Sequence, residues 1–107
     1  MTRFAFLALS TLFILAIASP LRAGEPPRTT WAKAKCAVCH GADGRGDTPA
    51  GKKYATPDLR GQMTQKRPDD ELMKLIRQGH QNMPTFGHAL TDQHVTTLLY
   101  FIRNLPK

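Results

Sequence analysis

Cys36, Cys39 and His40 stand in one short run, Cys36-Ala37-Val38-Cys39-His40, and their side-chain chemistry is the most informative feature of the chain. On a helix, positions i, i+3 and i+4 share a face, so two thiols and an imidazole address a single flat ligand. The C-x-x-C-H spacing is that of a c-type haem attachment, in which the thiols form thioethers to the vinyl groups and the imidazole presents a nitrogen to the iron. A C-x-x-C pair also serves as a dithiol redox centre or as half a zinc site. The first expects a βαβ pattern and the second usually a further C-x-x-C, and the sequence has neither, although Cys36, Cys39, His40 and another histidine remain a zinc set on paper.

A second ligand to an iron at this site must come from elsewhere in the chain. Met63, Met73 and Met83 follow the motif. Met73 falls within an amphipathic helical pattern, where methionine is most often core filling. Met83 precedes Pro84, which disfavours helix there, and lies between two helical segments where a loop can cover a cofactor face. Met63 is a weaker loop rival. His80 and His88 flank Met83 and are also ligand types, though a loop histidine is more often a surface group.

Three helices must position these groups. Thr29 or Thr30 can cap a first helix reaching about Cys39, with Trp31, Ala34 and Val38 at helical spacing. A second runs from Pro68 to Gln78, with Asp69, Asp70 and Glu71 in its first turn, Arg77 in its last and Gly79 as its stop; Leu72, Leu75 and Ile76 form its apolar face. A third starts at Thr91 as N-cap, with Leu90 and Val95 placed as a hydrophobic staple, and carries Leu98, Leu99, Ile102 and Leu105 on one stripe before Pro106. The Gly-rich stretch 41–53, extended to Gln65, reads as a wrapping loop, and Gly24 to Arg28 as a Pro-rich lead-in. No alternating strand pattern or repeat is visible, so the expected fold is all-α with long loops.

The chain of 107 residues begins like an export signal: Arg3, then an apolar run from Phe4 to Ala18 that is shorter than the roughly 20 residues a membrane span needs. Cleavage after Ala23 is expected, with an earlier cut after Ala18 and an uncleaved anchor as alternatives. Residues 24–107 then form one small domain of 84 residues, whose thin core calls for a disulfide framework, a metal or a buried cofactor, and two cysteines cannot make such a framework. Loss of Arg3 and Arg22 leaves 13 Lys and Arg against 8 acids, a net +5. That charge suits redox partners with an acidic docking surface and leaves peripheral membrane association open. Scattered basic residues and few aromatics argue against nucleic acid.

With these features in order, the sequence resembles the class I cytochrome c family over nearly all of residues 24–107: CAVCHGADGRGD, then TPDLRG from Thr56 to Gly61, then NMPTF from Asn82 to Phe86, then the closing helix with Tyr100. The resemblance implies a cytochrome c-like fold, with the first and last helices crossing and loops wrapped around one covalent haem c at Cys36 and Cys39. It implies His40 and Met83 as axial ligands and the Pro57 carbonyl orienting His40. Trp31 and Tyr100 are expected at the helix crossing, Phe86 near Met83, His94 on the surface, and Lys52, Lys53, Tyr54 or Arg60 near the propionates. A filled sixth position and no acid–base cluster favour a one-electron carrier over a catalyst. The carrier shuttles between periplasmic or membrane redox enzymes or is a dedicated subunit of one complex; a haem enzyme or gas sensor would need a labile distal ligand.

Overall fold

A computed structural model describes residues 24–107; the signal segment expected over residues 1–23 lies outside the described residues. Among the described residues six α-helices, α1 Pro27–Lys33, α2 Cys36–His40, α3 Pro49–Lys53, α4 Gln62–Gln65, α5 Asp69–Gln78 and α6 Asp92–Arg103, are joined by loops and one 3-10 turn at Gly87–Ala89. Among the described residues the extended structure is a single His80–Met83 bridge. The three longest helices, α1, α5 and α6, form the frame: α6 packs on both α1 and α5, while α2 packs on α1 and α3.

The closing helix forms as its sequence dictates. Thr91 accepts from the His94 backbone N–H, and His94 Nδ1 accepts in return from the Thr91 N–H, a reciprocal capping box. His94 is therefore half-buried with a structural task, not simply exposed. Val95, Leu98 and Ile102 are buried, and with Trp31, Leu59, Ile76 and Leu90 they form one core. Helix α5 spans Asp69–Gln78 with Pro68 as N-cap, and buries Leu72 and Ile76 while Leu75 is half-buried.

Three expectations require correction. The first helix neither starts at a Thr29 or Thr30 cap nor runs on to Cys39: it begins at Pro27, inside the expected lead-in, with Pro26 as N-cap, and ends at Lys33, and Lys35 takes a left-handed φ of 61° before α2 begins. After that break Val38 is exposed instead of sharing the buried stripe of Trp31. The wrapping loop contains α3 and α4, because Thr48-Pro49 is an N-cap followed by an N1 proline, and Thr48 Oγ1 accepts from the Gly51 N–H at 2.9 Å. At the crossing of α1 and α6, Trp31 stacks on Phe101 at 4.6 Å, while Tyr100 faces solvent at 60% exposure. Phe101 follows from α6's own register: it sits three residues after Leu98 and beside Ile102, on the α1 side of the core.

Helix α4 and the loop that follows it are tied to α6 by the side chains of Gln65 and Arg103. Gln65 Nε2 donates to the Leu59 and Ile102 carbonyls, at 2.7 and 3.1 Å. Arg103 donates to the carbonyls of Gln65 and Arg67 and pairs with Asp69. The bond to the Gln65 carbonyl satisfies one that α4, only four residues long, leaves open at its C-terminus.

Candidate haem site

The short helix α2 carries Cys36, Cys39 and His40 and is bounded by left-handed residues on both sides, Lys35 at φ 61° and Gly41 at φ 80°. Its orientation is fixed by three contacts. Trp31 Nε1 donates to the Gly41 carbonyl at 2.8 Å and its ring lies 5.7 Å from that of His40. Thr48 Oγ1 donates to the Val38 carbonyl at 2.7 Å, with the Cys39 carbonyl at 3.2 Å. Gly51 fits directly behind, where a Cβ would lie 2.4 Å from the Cys39 carbonyl and 2.2 Å from that of Gly46. Trp31, Thr48 and Gly51 as holders of α2 are absent from the sequence reading, although Thr48-Pro49 carried a cap signal that points to one of them.

Both cysteines are free thiols, half-buried. Cys36 packs against the core, and that burial pushes its thiol up to about 11. Burial lowers the pKa of His40, which favours the neutral imidazole that a metal requires. His40 Nδ1 is buried with no hydrogen-bond partner. The expected bond from the His40 ring N–H to the Pro57 carbonyl is not made, and Pro57 is exposed. The fold nevertheless brings the two segments together: the Gly46 N–H donates to the His40 carbonyl at 2.7 Å, and a Cβ on Gly46 would lie 2.6 Å from the Thr56 carbonyl and 3.5 Å from that of Pro57. Thr56 N–H in turn donates to Gly51 at 2.8 Å, so α3 and the Thr56–Pro57 segment close as one unit around α2.

Met83 is half-buried in a tight turn after α5, where it exchanges two backbone hydrogen bonds with His80. Gly79 makes this turn possible. It has φ 71°, and a Cβ there would stand 2.4 Å from the Met83 carbonyl. Phe86, three residues on, packs against the same core as Cys36. Of the rival sulfur ligands, Met63 is 80% exposed on α4 and Met73 packs against the core. Among the possible propionate partners, Arg60 is held by Asp58 and Lys52 pairs with Asp47 at 3.2 Å, while Lys53 lies over the Tyr54 ring.

These residues fit haem. Two unpaired thiols and an imidazole project from one rigid five-residue helix, and the imidazole is kept neutral by burial. The zinc alternative lacks a ligand set: among the described residues no three His, Cys, Asp or Glu side chains are grouped to hold a metal ion.

Residues 22–102 match the family described as cytochrome c oxidase, cbb3-type, subunit III. The chain belongs to this family of c-type cytochromes. A solved structure, the KustC0563 c-type cytochrome, is similar to it with a TM-score of 0.69 and 25% identity, covering 78% of this chain and 100% of that one. No curated protein matches the chain. The all-α architecture is that of a small class I cytochrome c, and the chemistry of such a cytochrome is haem-based electron transfer.

Proposed function

We propose that the protein is a one-electron carrier in which Cys36 and Cys39 hold one haem c covalently, His40 is the proximal ligand and Met83 the distal one. The observation that carries this reading is α2 itself, a separately oriented helix that presents both thiols and the imidazole and is locked from behind by Trp31, Thr48 and Gly51. Bound haem supplies an Fe(III)/Fe(II) couple, whose potential is raised by a thioether ligand and by burial. The chain's contribution is rigidity. A fixed α2 and a turn pinned at Gly79 hold both ligand groups in place, so a change of oxidation state demands little rearrangement. With Met83 on the iron, no coordination position remains for a substrate, which suits a carrier and not a catalyst.

The partners are redox proteins with acidic docking surfaces. Lys52, Lys53, Lys66, Arg67 and Lys74 are all exposed, and such charges accelerate encounter and orient a brief complex. Export to a periplasm is supported by the apolar run from Phe4 to Ala18 behind Arg3. No helix among the described residues is long and apolar enough to cross a membrane. A second reading, a dedicated subunit of one enzyme complex, is favoured by the family's description as an oxidase subunit. Gel filtration of protein isolated with its native neighbours separates the two: a lone small species supports the shuttle, a stable co-eluting partner the subunit. For the ligands, the expected spectrum has sharp reduced bands and a weak oxidised band near ~695 nm that Met83→Ala abolishes. An oxidised spectrum that never shows the band would overturn Met83 as ligand.

A further inference from the structure

His80 and Met83 face each other across the turn that follows α5. The His80 N–H donates to the Met83 carbonyl at 3.2 Å and the Met83 N–H to the His80 carbonyl at 2.9 Å, forming an isolated antiparallel bridge. Residues that exchange both bonds are a hydrogen-bonded pair, and their side chains project to the same face with Cβ atoms about 5 Å apart. An imidazole and a thioether thus leave the same side of one two-residue turn.

The turn is held as a unit. Gly79 admits the Met83 and Pro84 carbonyls where a Cβ would be 2.4 and 2.7 Å away, Thr85 Oγ1 donates to Gln78 at 2.8 Å, and Phe86 N–H donates to Arg77 at 3.1 Å. Between the pair, Gln81 has φ 52°, in the region that favours glycine. Strained residues of this kind persist where surrounding structure over-determines them, often at ligand clamps. Here the contacts of Gly79, Thr85 and Phe86 hold the turn, and with it the register that sets His80 opposite Met83. His88, by contrast, lies in the 3-10 turn beyond Phe86 and has no such pairing with Met83.

Resting on the reading that Met83 is the distal ligand, we infer that His80 is a reserve sixth ligand, which takes the iron position when the Met83 sulfur leaves it. The exchange breaks one Fe–S bond and forms one Fe–N bond from a neutral imidazole; no electron moves. Imidazole is a good iron ligand in both oxidation states, whereas a thioether favours the reduced one, so the second form has the lower potential. The consequence is a site that stays six-coordinate and closed to small molecules even without its methionine.

The test uses the haem-loaded full-length protein and compares wild type, Met83→Ala, Met83→Ala/His80→Gln and Met83→Ala/His88→Gln by absorption and electron paramagnetic resonance. Met83→Ala is expected to lose the ~695 nm band yet stay low-spin. Adding His80→Gln should convert it to high-spin iron that binds carbon monoxide when reduced, with unchanged far-UV circular dichroism. Adding His88→Gln should leave the Met83→Ala spectrum low-spin. High-spin iron in Met83→Ala alone, or low-spin iron retained without His80, overturns the inference while leaving Met83 as ligand intact. A wild-type protein lacking the ~695 nm band overturns the Met83 reading itself and this inference with it.

Discussion

Gly51→Ala tests whether α2 is held from behind by backbone packing. Gly51 lies in the middle of α3, and it has no positive φ to explain its presence. By helix propensity alone, alanine there would stabilise by roughly 1 kcal/mol. The structure opposes that gain, since the added Cβ would sit 2.2 Å from the Gly46 carbonyl and 2.4 Å from the Cys39 carbonyl. Both obstacles are backbone, so no rotamer change relieves them, and α3 must move away from α2 by about 1 Å to restore ordinary contact. Overpacking of this kind costs about 1–3 kcal/mol, and with two fixed carbonyls the upper part of that range applies. The net expectation is a loss of about 2 kcal/mol, or a fall in Tm of roughly 8–16 °C for a domain of this size. Thermal unfolding of the haem-loaded protein, followed by far-UV circular dichroism, reads it directly. Gly24→Ala, which meets nothing within 4 Å, is the control and should change stability by less than about 0.5 kcal/mol. An unchanged or raised Tm in Gly51→Ala would refute the packing argument.

Three further outcomes follow from the same contacts. Gly79→Ala places a Cβ against the Met83 carbonyl at a left-handed φ, so the oxidised ~695 nm band should weaken or vanish while the covalent haem remains. Thr48→Val removes the cap of α3 and the donor to the Val38 carbonyl together and should cost about 1–2 kcal/mol in urea unfolding, whereas Thr48→Ser should restore most of it. In the haem-free protein, Cys36 should be alkylated slowly at pH 8 and rapidly once unfolded. Its thiol is raised to about 11 by burial, and the unfolded thiol ionises near ~8.5, so the unfolded state releases its proton first. That group's contribution is undiminished below ~8.5 and is lost as pH rises towards 11, so a haem-free stability that rises across this window would contradict the burial of Cys36.

The parts of this architecture that were legible in sequence are those encoded by adjacent residues. C-x-x-C-H is contiguous, and the starts of α5 and α6 are written in Pro68, Asp69 and Thr91, so local rules suffice. The break between α1 and α2 was not legible because Lys35 carries no sign of a left-handed backbone; tertiary packing around Trp31 imposes it. Helices α3 and α4 have five and four residues, too short for periodicity, and both fall inside the stretch that reads as loop; only the Thr48-Pro49 pair carries a local signal, a cap followed by an N1 proline, for one of them. Tyr100 was placed in the crossing by the family resemblance, but the register of α6 turns Phe101 to Trp31 instead. The setting of Met83 depends on Gly79 meeting a carbonyl four residues later, a contact that no residue type announces.

The most direct test of the central claim is whether haem is covalently fixed to α2. The protein should be produced with its first 23 residues intact in a host that attaches haem c, then denatured, extracted with acidified acetone and digested. The account predicts one haem per chain, retained after extraction and recovered on the peptide containing Cys36 to His40, with attachment abolished when Cys36 and Cys39 are both replaced by alanine. Haem that extracts freely, or a purified protein that carries a metal ion and no haem, would contradict it.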